Sequence, residues 1–564
     1  MNVLVLDAHS NAGIATIQSL GINKIKVFAA SHITKALGFS SGFVTKHFDI
    51  SNPINSPKEY VMELEEILES EQIDWVFTPT DNSIYPIRQF LSTKLKRKCL
   101  LPPENSFDTV FNKERTLLLA KAIGIPVPDS KYFDKLDNLL DVFLSEVALP
   151  VFIKPVVSKS WGNDKGVNLA PIPVNDRNNL FITCEKFLKH CPIQIQQCIQ
   201  GKGVGVEVLA NKGNIVAMFS HERIHEYPLT GGGSSYRKSI EVPEQLAKYS
   251  KDLINELQWD GVAMIEFKEN DNQYWLIEIN GRLWGSLSLA LRSGMHFPYW
   301  WLMQRTNTPF HVPTQYKLCF ERNINQDLNW QIANLKASSN PLLLTKPKLR
   351  SIIDILRVLI AKDSWDHCRW SDKRLAIKLI YDAFSSRFNL IINKIHKLIA
   401  KQQLNFNYNR LKKRSFSRIL VICYGNIYRS ALAKAVIDKE THHFDIKSAG
   451  FHKKENRNAG EEFITLSNND GYNLNEHKSK RINKDLINWA QLIIVMDYNN
   501  QSLLQKFAPS DSFKAVLLNQ YLTGKPTEIQ DPYGKSSIET FNIYTKIISS
   551  IRSFIKNTTT IKTN

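Results

Sequence analysis

The strongest constraint on the fold is a short motif that follows an apolar run near the C-terminus. Residues 419–423 are long enough for a buried strand, and a helical pattern begins at Ser430. Between them, Cys423 and Arg429 have the spacing C-x5-R. A loop of that length curls the backbone into a nest whose N–H groups point at one anion, beside the start of a helix. We expect Cys423 to be a thiolate nucleophile and Arg429 to bind phosphate oxygens.

The residues inside the loop and downstream of it extend this interpretation. Gly425 and Asn426 supply the unusual backbone angles that so tight a loop needs. The C-x5-R spacing alone would also fit a structural cysteine at a strand end and a surface arginine. The longer stretch resembles the low-molecular-weight protein tyrosine phosphatase family, whose loop reads C-x-G-N-x-x-R-S. Over about 140 residues the resemblance continues in the family's order through Ser448-Ala-Gly450, NLNEHKSKRI, LIIVMD ending at Asp497, and Asp531-Pro-Tyr533.

The resemblance implies a two-step hydrolysis of a phosphomonoester. Cys423 would attack phosphorus, while Asp531 would protonate the leaving phenol and then activate water against the phosphocysteine. Ser430 would stabilise the thiolate and Asn426 would hold the loop. Tyr533 would line the mouth where a phosphotyrosine ring stacks. Without the cysteine motif, Asp531-Pro-Tyr533 would be an ordinary turn.

Two positions depart from the family pattern. Tyr428 stands where many members carry a second cysteine, so protection of the nucleophile by a disulfide is not expected. Ala431 stands where proline is usual, which affects the entry to the helix more than the chemistry. Arsenate reductases share the fold but need a cysteine relay. No cysteine follows Cys423, so that activity is rejected.

A second group of polar residues lies on two short apolar segments in the first half of the chain. Glu266 is on the first segment, and Glu278 and Asn280 share one face of the next at period two. Two carboxylates and an amide oxygen that converge suit hard divalent cations, which also bind phosphates. Arg282 then lies within reach of a developing anionic intermediate. This pattern predicts a metal and phosphate site.

Lys113 precedes a predicted helix and Lys154 ends the strand PVFIKP. Each could bind ATP phosphates, although a lone lysine is more often a solvated surface residue. The arrangement resembles an ATP-grasp carboxylate–amine ligase of the carbamoyl-phosphate-synthase-like type over roughly residues 1–310. The resemblance rests on the opening βαβ unit, NKERTLLLAKAIGIPVP, QIQQCIQGKGVGVEVL, HERIHEYPLTGGGSS, and WDGVAMIEFK running into EINGRLWGSL.

This second resemblance implies ATP as a cofactor together with Mg²⁺, or Mn²⁺ in its place. Glu266, Glu278 and Asn280 would hold two metal ions, and Arg282 would steady an acyl phosphate. The implied reaction transfers the γ-phosphoryl group of ATP to a carboxylate, after which an amine displaces phosphate to give an amide.

The remaining implied roles concern the nucleotide. Lys113 and Lys154 would touch the ATP phosphates. Gln197, Cys198 and Ile199 would form the hinge that meets adenine, largely through backbone atoms. Glutamine stands in the hinge where glutamate is common. The backbone contacts to adenine survive that change, but the nucleotide preference is less secure.

Two further features of the same half have less definite roles. The segment Thr230-Gly-Gly-Gly-Ser, behind His221 and Arg223, is either a mobile loop over the reaction centre or an ordinary surface loop. Glu207 is a candidate contact for the ribose.

Periodicity and charge divide the chain into four predicted parts of a multidomain α/β protein. Residues 1–110 alternate strands and helices, which predicts a parallel sheet, and the second resemblance implies that they form a Rossmann-like pre-ATP-grasp domain. Residues 111–310 form the predicted ATP-grasp α+β domains. Residues 311–415 form a basic helical connector, because residues 331–420 carry +14 of the total net charge of +18 and show amphipathic helical spacing. Residues 416–564 form the phosphatase domain with a parallel sheet.

Composition excludes several other classes of protein. Seven cysteines without a C-x-x-C pair exclude a disulfide scaffold, and 58 aromatic residues exclude general disorder. No run of 18 uncharged apolar residues predicts a membrane span, and the N-terminus lacks the basic region of a signal peptide. We therefore predict a cytoplasmic protein.

The expected substrates are a small-molecule carboxylate and an amine for one site, and a tyrosine-phosphorylated protein for the other. The basic helices of residues 331–420 would most simply expose a solvated face. Alternatively they would bind anionic lipid at the inner face of the membrane. Nucleic acid is not expected, because no known nucleic-acid module accompanies the charge. Two rival functions stay open: an ATP-binding but non-ligating half that regulates the phosphatase, and a non-enzymatic membrane scaffold.

Overall fold

The computed structural model describes residues 1–564 except 138–139, 141–142, 145, 162–164, 339, 341, 360–362, 536 and 560–564. The chain divides into two compact units, Met1–Ala383 and Phe384–Asn564. This division falls inside the predicted connector. Within the described part of the chain, no helix has both the length and the apolar character needed to cross a membrane.

The first unit opens with a five-stranded parallel sheet. Its strands are β1 (Asn2–Val5), β2 (Lys26–Ser31), β3 (Val44–Asp49), β4 (Trp75–Phe77) and β5 (Cys99–Leu100). Its helices are α1 (Asn11–Ile22), α2 (Pro57–Ser70), α3 (Asp81–Phe90) and α4 (Thr93–Lys96), with a 3₁₀ turn at Leu37–Ser40. The strand order is β3-β2-β1-β4-β5, so the order reverses between β1 and β4. The predicted βαβ pattern is confirmed, because parallel neighbours need such crossovers.

A four-stranded antiparallel sheet follows. The elements of this region are α5 (Glu104–Val110), α6 (Lys113–Ala122), β6 (Ser130–Phe133), β7 (Val151–Pro155), β8 (Lys159–Trp161), β9 (Gly166–Asn168), β10 (Ile172–Val174), α7 (Arg177–Leu188) and β11 (Ile193–Gln197). The sheet order is β10-β7-β11-β6, and β8 and β9 form a separate hairpin. Ile153, Ile193 and Ile195 are buried with Leu180 and Phe187 of α7, which holds the helix against the sheet.

The largest sheet has seven strands in the order β16-β15-β12-β13-β14-β17-β18. The strands are β12 (Lys202–Asn211), β13 (Asn214–Tyr227), β14 (Gly233–Ile240), β15 (Gly261–Asn270), β16 (Gln273–Asn280), β17 (Phe320–Arg322) and β18 (Ser364–Trp365). The helices inserted among them are α8 (Glu244–Glu256), α9 (Leu287–Arg292) and α10 (Phe297–Arg305). Alternate residues of β12, such as Val204 and Val206, share a core with Leu246 and Leu253 of α8.

The predicted connector is not only helical. It contains α11 (Ile324–Lys336), α12 (Lys348–Leu359), a 3₁₀ turn at Trp370–Asp372 and α13 (Lys373–Leu411), but also β17 and β18, which extend the seven-stranded sheet. Arg322 of β17 is fully buried, and its guanidinium lies 2.5 Å from Asp327 and 2.8 Å from Asp363. Strands of two or three residues are too short to show a period, and paired buried charges cannot be distinguished from solvated ones in a sequence.

The second unit has a four-stranded parallel sheet of order β20-β19-β21-β22. Its strands are β19 (Arg418–Cys423), β20 (Asp445–Gly450), β21 (Leu492–Val495) and β22 (Ala515–Leu517). Its helices are α14 (Arg429–Glu440), α15 (Glu461–Asn469), α16 (Lys484–Trp489), α17 (Tyr498–Phe507), α18 (Gln520–Thr523) and α19 (Ser537–Thr559), with a 3₁₀ turn at Pro509–Lys514. The parallel sheet predicted for this region is confirmed. Cys423 ends an interior strand.

Candidate active sites

The phosphate-binding loop of the second unit closes around the sulfur of Cys423, which is only 2% exposed. The backbone N–H of Asn426 donates to Sγ over 3.2 Å, and Oγ of Ser430 lies 3.0 Å from the same atom. Asn426 has a left-handed φ of +51°, and its Nδ2 donates to Ser430 and Ser448 over 2.9 and 3.1 Å. The backbone of the loop and a side chain of the following helix thus both point at the sulfur. The predicted loop geometry is therefore present.

Arg429 begins α14 and is almost fully buried. Its Nη1 donates to Asp497 over 2.6 Å and to the carbonyl oxygen of Ile529 over 2.9 Å, and its Nη2 donates to Asp531 over 2.5 Å. Burial opposes the charged form, but the charges of Cys423, Asp497 and Asp531 raise the pKa of Arg429 above its ordinary value. The guanidinium is thus held charged beside the nucleophile.

Asp531 and Tyr533 stand at the accessible edge of this site. The Asp531 side chain is 46% exposed, and Tyr533 is 78% exposed with its N–H donating to Asp531 Oδ1 over 3.3 Å. An exposed carboxyl group beside the arginine can reach a leaving group, and an exposed ring can stack on an aromatic substrate. The structure brings together all the phosphatase residues predicted from the sequence.

Tyr428 is accommodated by a glycine. The Tyr428 ring packs edge-on against Phe463. A Cβ atom on Gly460 would lie 2.0 Å from the ring of Tyr428. Burial raises the pKa of the Tyr428 hydroxyl. The departure from the family's second cysteine is therefore matched by space in the neighbouring segment.

Three residues that hold the loop were not singled out in the sequence. His477 donates its Nε2–H to the carbonyl oxygen of Asn426 over 2.7 Å, and the backbone N–H of Lys480 donates to Asn426 Oδ1 over 2.8 Å. Arg457 donates to the carbonyl oxygen of Gly425 over 2.6 Å. Burial lowers the pKa of His477, which keeps the ring neutral. The motif NLNEHKSKRI contains two of these residues and was the available signal.

In the first unit, the predicted metal ligands meet on two adjacent strands. Glu266 of β15 and Glu278 of β16 are direct partners in the register, and Nδ2 of Asn280 donates to both carboxylates over 3.0 and 3.3 Å. Burial and the charge of Glu278 raise the pKa of Glu266, although Arg223 opposes them. Burial acts in the same direction on Glu278, but neighbouring lysines lower the pKa of that carboxyl overall.

The two predicted phosphate-binding lysines lie beside these carboxylates. Nζ of Lys113 lies 3.8 Å from Glu278 and donates to Ser158 over 2.9 Å, while the Lys113 backbone N–H donates to the carbonyl oxygen of Val156. Lys154 is 7% exposed. Burial lowers its pKa to about 8, partly opposed by the charge of Glu278. The fold thus gathers two lysines that lie more than 100 residues before Glu278 in the chain around one acidic pair.

Arg282 has a partner that the sequence pattern does not predict. Its Nε donates to Asp81 Oδ1 over 2.7 Å, and Asp81 is the first residue of α3. Both residues line a cleft together with residues 10–12, Thr80 and Lys159. Asp81 follows the carboxyl end of β4. Ligands bind at the carboxyl ends of parallel strands, so this position in the sequence could have identified Asp81 as a site residue.

Arg223 connects the glycine-rich turn to the acidic pair. Its Nη2 lies 2.6 Å from Glu266, and its Nη1 donates to the carbonyl oxygen of Gly232 over 3.3 Å. Gly231 and Gly232 have φ values of +101° and +158° in the turn between β13 and β14. Such angles favour glycine, so the composition of this turn has a conformational reason.

The hinge residues lie where β11 ends. Gln197 is the last residue of the strand, and its N–H donates to the carbonyl oxygen of Asp129. Cys198 and Ile199 are half-buried, and burial raises the pKa of the Cys198 thiol. The ribose contact of Glu207 stays a prediction. That side chain is fully buried, and its carboxylate lies 2.6 Å from Nδ1 of His221.

The donor set of Glu266, Glu278 and Asn280 suits a divalent cation of the Mg²⁺ class. Hard cations prefer carboxylate and amide oxygens, and a cation between two carboxylates relieves their mutual repulsion. The lysines beside them suit the phosphate groups of a nucleotide. The residues present therefore fit a bound metal–nucleotide complex.

Comparison with known proteins assigns the second unit to a family. Residues 418–564 match the family described as low molecular weight phosphotyrosine protein phosphatase. The low molecular weight protein-tyrosine-phosphatase Etp of Escherichia coli (strain K12) is 30% identical over 129 residues, which are 23% of this chain and 86% of Etp. The chain belongs, through this unit, to that phosphatase family. A protein-arginine-phosphatase of Geobacillus stearothermophilus is 29% identical over 118 residues, covering 21% of this chain and 79% of that protein.

A segment of the first unit matches a second family model. Residues 190–325 match the model described as ATP-grasp in the biosynthetic pathway with Ter operon. The chain is thus an enzyme that joins a part similar to this ATP-grasp family to a low molecular weight protein-tyrosine phosphatase. Both predicted resemblances are confirmed. The solved L-amino acid ligase from Bacillus licheniformis is similar at a TM-score of 0.40 and 15% identity, over 54% of this chain and 73% of that chain.

Proposed function

We propose that this chain is a bifunctional enzyme. The part predicted as residues 416–564 would hydrolyse aryl phosphates such as phosphotyrosine through a phosphocysteine. The parts predicted as residues 1–110 and 111–310 would ligate a carboxylate to an amine at the expense of ATP. The observation that carries the proposal is the cluster of Cys423 and Arg429 in one closed loop, with Asp531 bonded to that arginine.

The phosphatase reaction has two steps. Sγ of Cys423 attacks phosphorus, so that an S–P bond forms and the bond to the phenolic oxygen breaks, while Asp531 protonates that oxygen. Asp531, now a carboxylate, then takes a proton from the water that attacks phosphorus, and the S–P bond breaks. Arg429 holds the phosphoryl oxygens and Ser430 donates to the returning thiolate. Binding of phosphate replaces the contact between Arg429 and Asp531, which frees the carboxyl group for the leaving oxygen.

Substitution of the nucleophile tests this half. Cys423→Ser should abolish hydrolysis of p-nitrophenyl phosphate. It should also prevent formation of the phosphoprotein adduct that acid quenching traps. Cys191→Ser changes a half-buried thiol of the first unit and should leave both unchanged. Hydrolysis that persists in Cys423→Ser would contradict the proposal.

The ligase reaction also has two steps. A substrate carboxylate oxygen attacks the γ-phosphorus and releases ADP, and an amine nitrogen then attacks the acyl carbon, loses a proton and expels phosphate. Bound Mg²⁺, or Mn²⁺ in its place, would neutralise charge on the phosphates during transfer. Glu266, Glu278 and Asn280 would hold the metal, and Arg282 would stabilise the acyl phosphate.

The other roles in the ligase concern the nucleotide. Lys113 and Lys154 would bind and orient its phosphates, and residues 197–199 would meet adenine through the backbone. The lysines lie against the same carboxylates that suit the metal, which supports a single nucleotide site.

Release of ADP tests the ligase half. The Cys423→Ser protein with ATP, Mg²⁺ and pooled amino acids and carboxylic acids should release ADP in a pool-dependent way. Glu278→Ala should abolish the release. Glu256→Ala, at the exposed end of α8, is the matched control and should not change it.

The same assay separates the proposal from a regulatory role of the first unit. If ATP binds and is not consumed with any pool, but changes the rate of phosphatase hydrolysis, the first unit is a sensor and the ligase assignment is wrong. The complete set of acidic and basic residues around Glu278 supports turnover.

We also propose that the predicted segment 331–420 binds anionic lipid at the inner face of the membrane. Helix α13 exposes the apolar side chains of Ile395, Leu398 and Ile399 between Lys394 and Lys401. Mixed apolar and basic exposure suits an anionic lipid surface. The protein should sediment with anionic vesicles and not with neutral ones, and added salt should weaken the binding. No binding at any salt concentration would remove this part of the proposal.

A further inference from the structure

Three side chains that neither proposed reaction uses meet at the carboxyl ends of β1 and β2. Asp7 follows β1 and is buried, and His9 and His32 are half-buried. Each offers one ligand atom, and these atoms all lie within 4.8 Å of one another. The cluster borders the point between β1 and β4 where the strand order reverses, which is where open parallel sheets bind ligands.

The backbone holds this cluster in place. Asp7 has a left-handed φ of +50°, and its carbonyl oxygen accepts from the backbone N–H of Ser10. The neighbouring Ala8 donates its N–H to Ala30 of β2. A Cβ atom on Gly13 would lie 2.4 Å from the carbonyl oxygen of Asp7, so glycine is required there for α1 to approach the turn. Asp7 and His9 are thus fixed by a tightly closed strand-to-helix turn.

Hydrogen bonds orient two of the three side chains. Thr80 accepts from the N–H of Asn82, and its hydroxyl donates to Oδ2 of Asp7 over 2.7 Å, which leaves Oδ1 available. Nδ1 of His9 lies 2.9 Å from Oγ of Ser31, which leaves Nε2 available. Outer partners of this kind fix metal-binding carboxylates and imidazoles in known metal sites.

The third side chain approaches the second directly. The rings of His9 and His32 are edge-on, with centroids 4.6 Å apart. Among the residues that the structure describes, no side chain forms a hydrogen bond with a ring nitrogen of His32. Two imidazoles in contact beside one carboxylate therefore have ligand atoms without a protein partner.

We propose that Asp7, His9 and His32 bind a divalent transition-metal ion of the Zn²⁺ class. Imidazole nitrogens favour Zn²⁺ over Mg²⁺, and two histidines with one carboxylate form a three-ligand set that leaves a position open. Ligand atoms in a tetrahedral zinc site lie about 3.4 Å from each other, so rotations of the side chains that shorten the present separations of up to 4.8 Å complete the site. This site is separate from the acidic pair of Glu266 and Glu278.

The test measures zinc bound to the full-length protein, in the Cys423→Ser background so that the reactive thiol does not compete. Metal-free protein is incubated with Zn²⁺ in the presence of excess Mg²⁺, desalted, and analysed for bound zinc. The parent should retain one equivalent that Asp7→Asn, His9→Gln and His32→Gln each lose. His190→Gln changes an exposed histidine of the same unit and should retain it.

Asp7→Asn keeps an oxygen that can accept from Thr80, so it preserves the turn while it weakens the metal site. Zinc should raise the unfolding temperature of the parent and His190→Gln proteins but not that of Asp7→Asn. With Co²⁺ as a probe, a visible absorption band from nitrogen ligands should appear in the parent and be absent from His32→Gln. Zinc content equal to the parent in all three variants, or zinc lost only in Glu278→Gln, would overturn the assignment.

Discussion

At the scale of single residues, Asp531 has an arginine partner before any substrate arrives. Its carboxyl group lies 2.5 Å from Arg429 and its side chain is 46% exposed. A group so placed can move from the arginine to a leaving oxygen with little rearrangement. The same residue can therefore serve the resting site and the reaction.

Replacement of this acid should affect substrates according to their leaving groups. Asp531→Asn retains an acceptor for Arg429 but supplies no proton, so kcat for phenyl phosphate should fall by about 10²–10⁴-fold. The loss for p-nitrophenyl phosphate should be smaller, because its phenolate leaves without protonation. Steady-state kinetics on both substrates check this, with the exposed Asp485→Asn as control. Equal losses on the two substrates would argue against a general acid.

Lys154 gives a pH-dependent prediction. Burial lowers its pKa to about 8, so in the nucleotide-free protein the charged fraction falls as the pH rises above about 8. The phosphates of ATP attract the charged form, and ATP affinity should therefore decrease by up to about tenfold per pH unit above that value. Lys154→Arg stays charged and should bind ATP with a flat profile over the same range. Calorimetric titrations from pH 7 to 10 check the two slopes; parallel slopes would contradict the role of Lys154.

At the scale of elements, Asp497 both caps a helix and contacts the arginine of the phosphatase site. Its Oδ1 accepts from the N–H of Asn500 and caps α17, while its Oδ2 lies 2.6 Å from Arg429. The cap and the arginine contact use different oxygens. One side chain therefore positions Arg429 relative to the start of a helix.

Two substitutions separate these contributions. Asp497→Asn keeps a good helix cap and loses the charge, whereas Asp497→Ala loses both. Both should reduce kcat/KM for aryl phosphates, and the alanine variant should be less stable than the asparagine variant by about 1 kcal/mol. Urea unfolding of the two proteins measures the difference. Equal stability would show that the cap contributes nothing.

At the scale of the whole molecule, each unit has its own hydrophobic core. Residues such as Leu20, Trp284 and Trp301 belong to a core of the first unit, and Val421 and Phe554 to a core of the second. A ligand that binds one folded unit stabilises that unit by mass action.

Calorimetry should therefore show two unfolding transitions with different ligand responses. A non-hydrolysable ATP analogue with Mg²⁺ should raise only the transition of Met1–Ala383, and vanadate only that of Phe384–Asn564. At 100 times the dissociation constant, each ligand contributes about 2.7 kcal/mol. The Glu278→Ala and Cys423→Ser proteins identify the transitions. A common shift of both transitions with either ligand would contradict this assignment.

Local patterns were sufficient to predict much of the two sites. The C-x5-R-S spacing fixes a loop within eight residues, and period two places Glu278 and Asn280 on one face of a strand. Such geometry depends on neighbours in the chain, because a strand and a tight loop have few allowed conformations. The confirmed fold class also followed from the alternation of strands and helices.

The tertiary structure decided the contacts between distant segments. It set the register that places Glu266 opposite Glu278, joined Arg282 to Asp81 across 201 residues and joined Arg429 to Asp531 across 102. It also added β17 and β18 to a sheet where the sequence predicted only helices. The boundaries of the four predicted parts stay predictions. Repeating patterns record how a segment folds locally, whereas partners far along the chain are selected by packing and burial of the whole unit, which no short window of sequence contains.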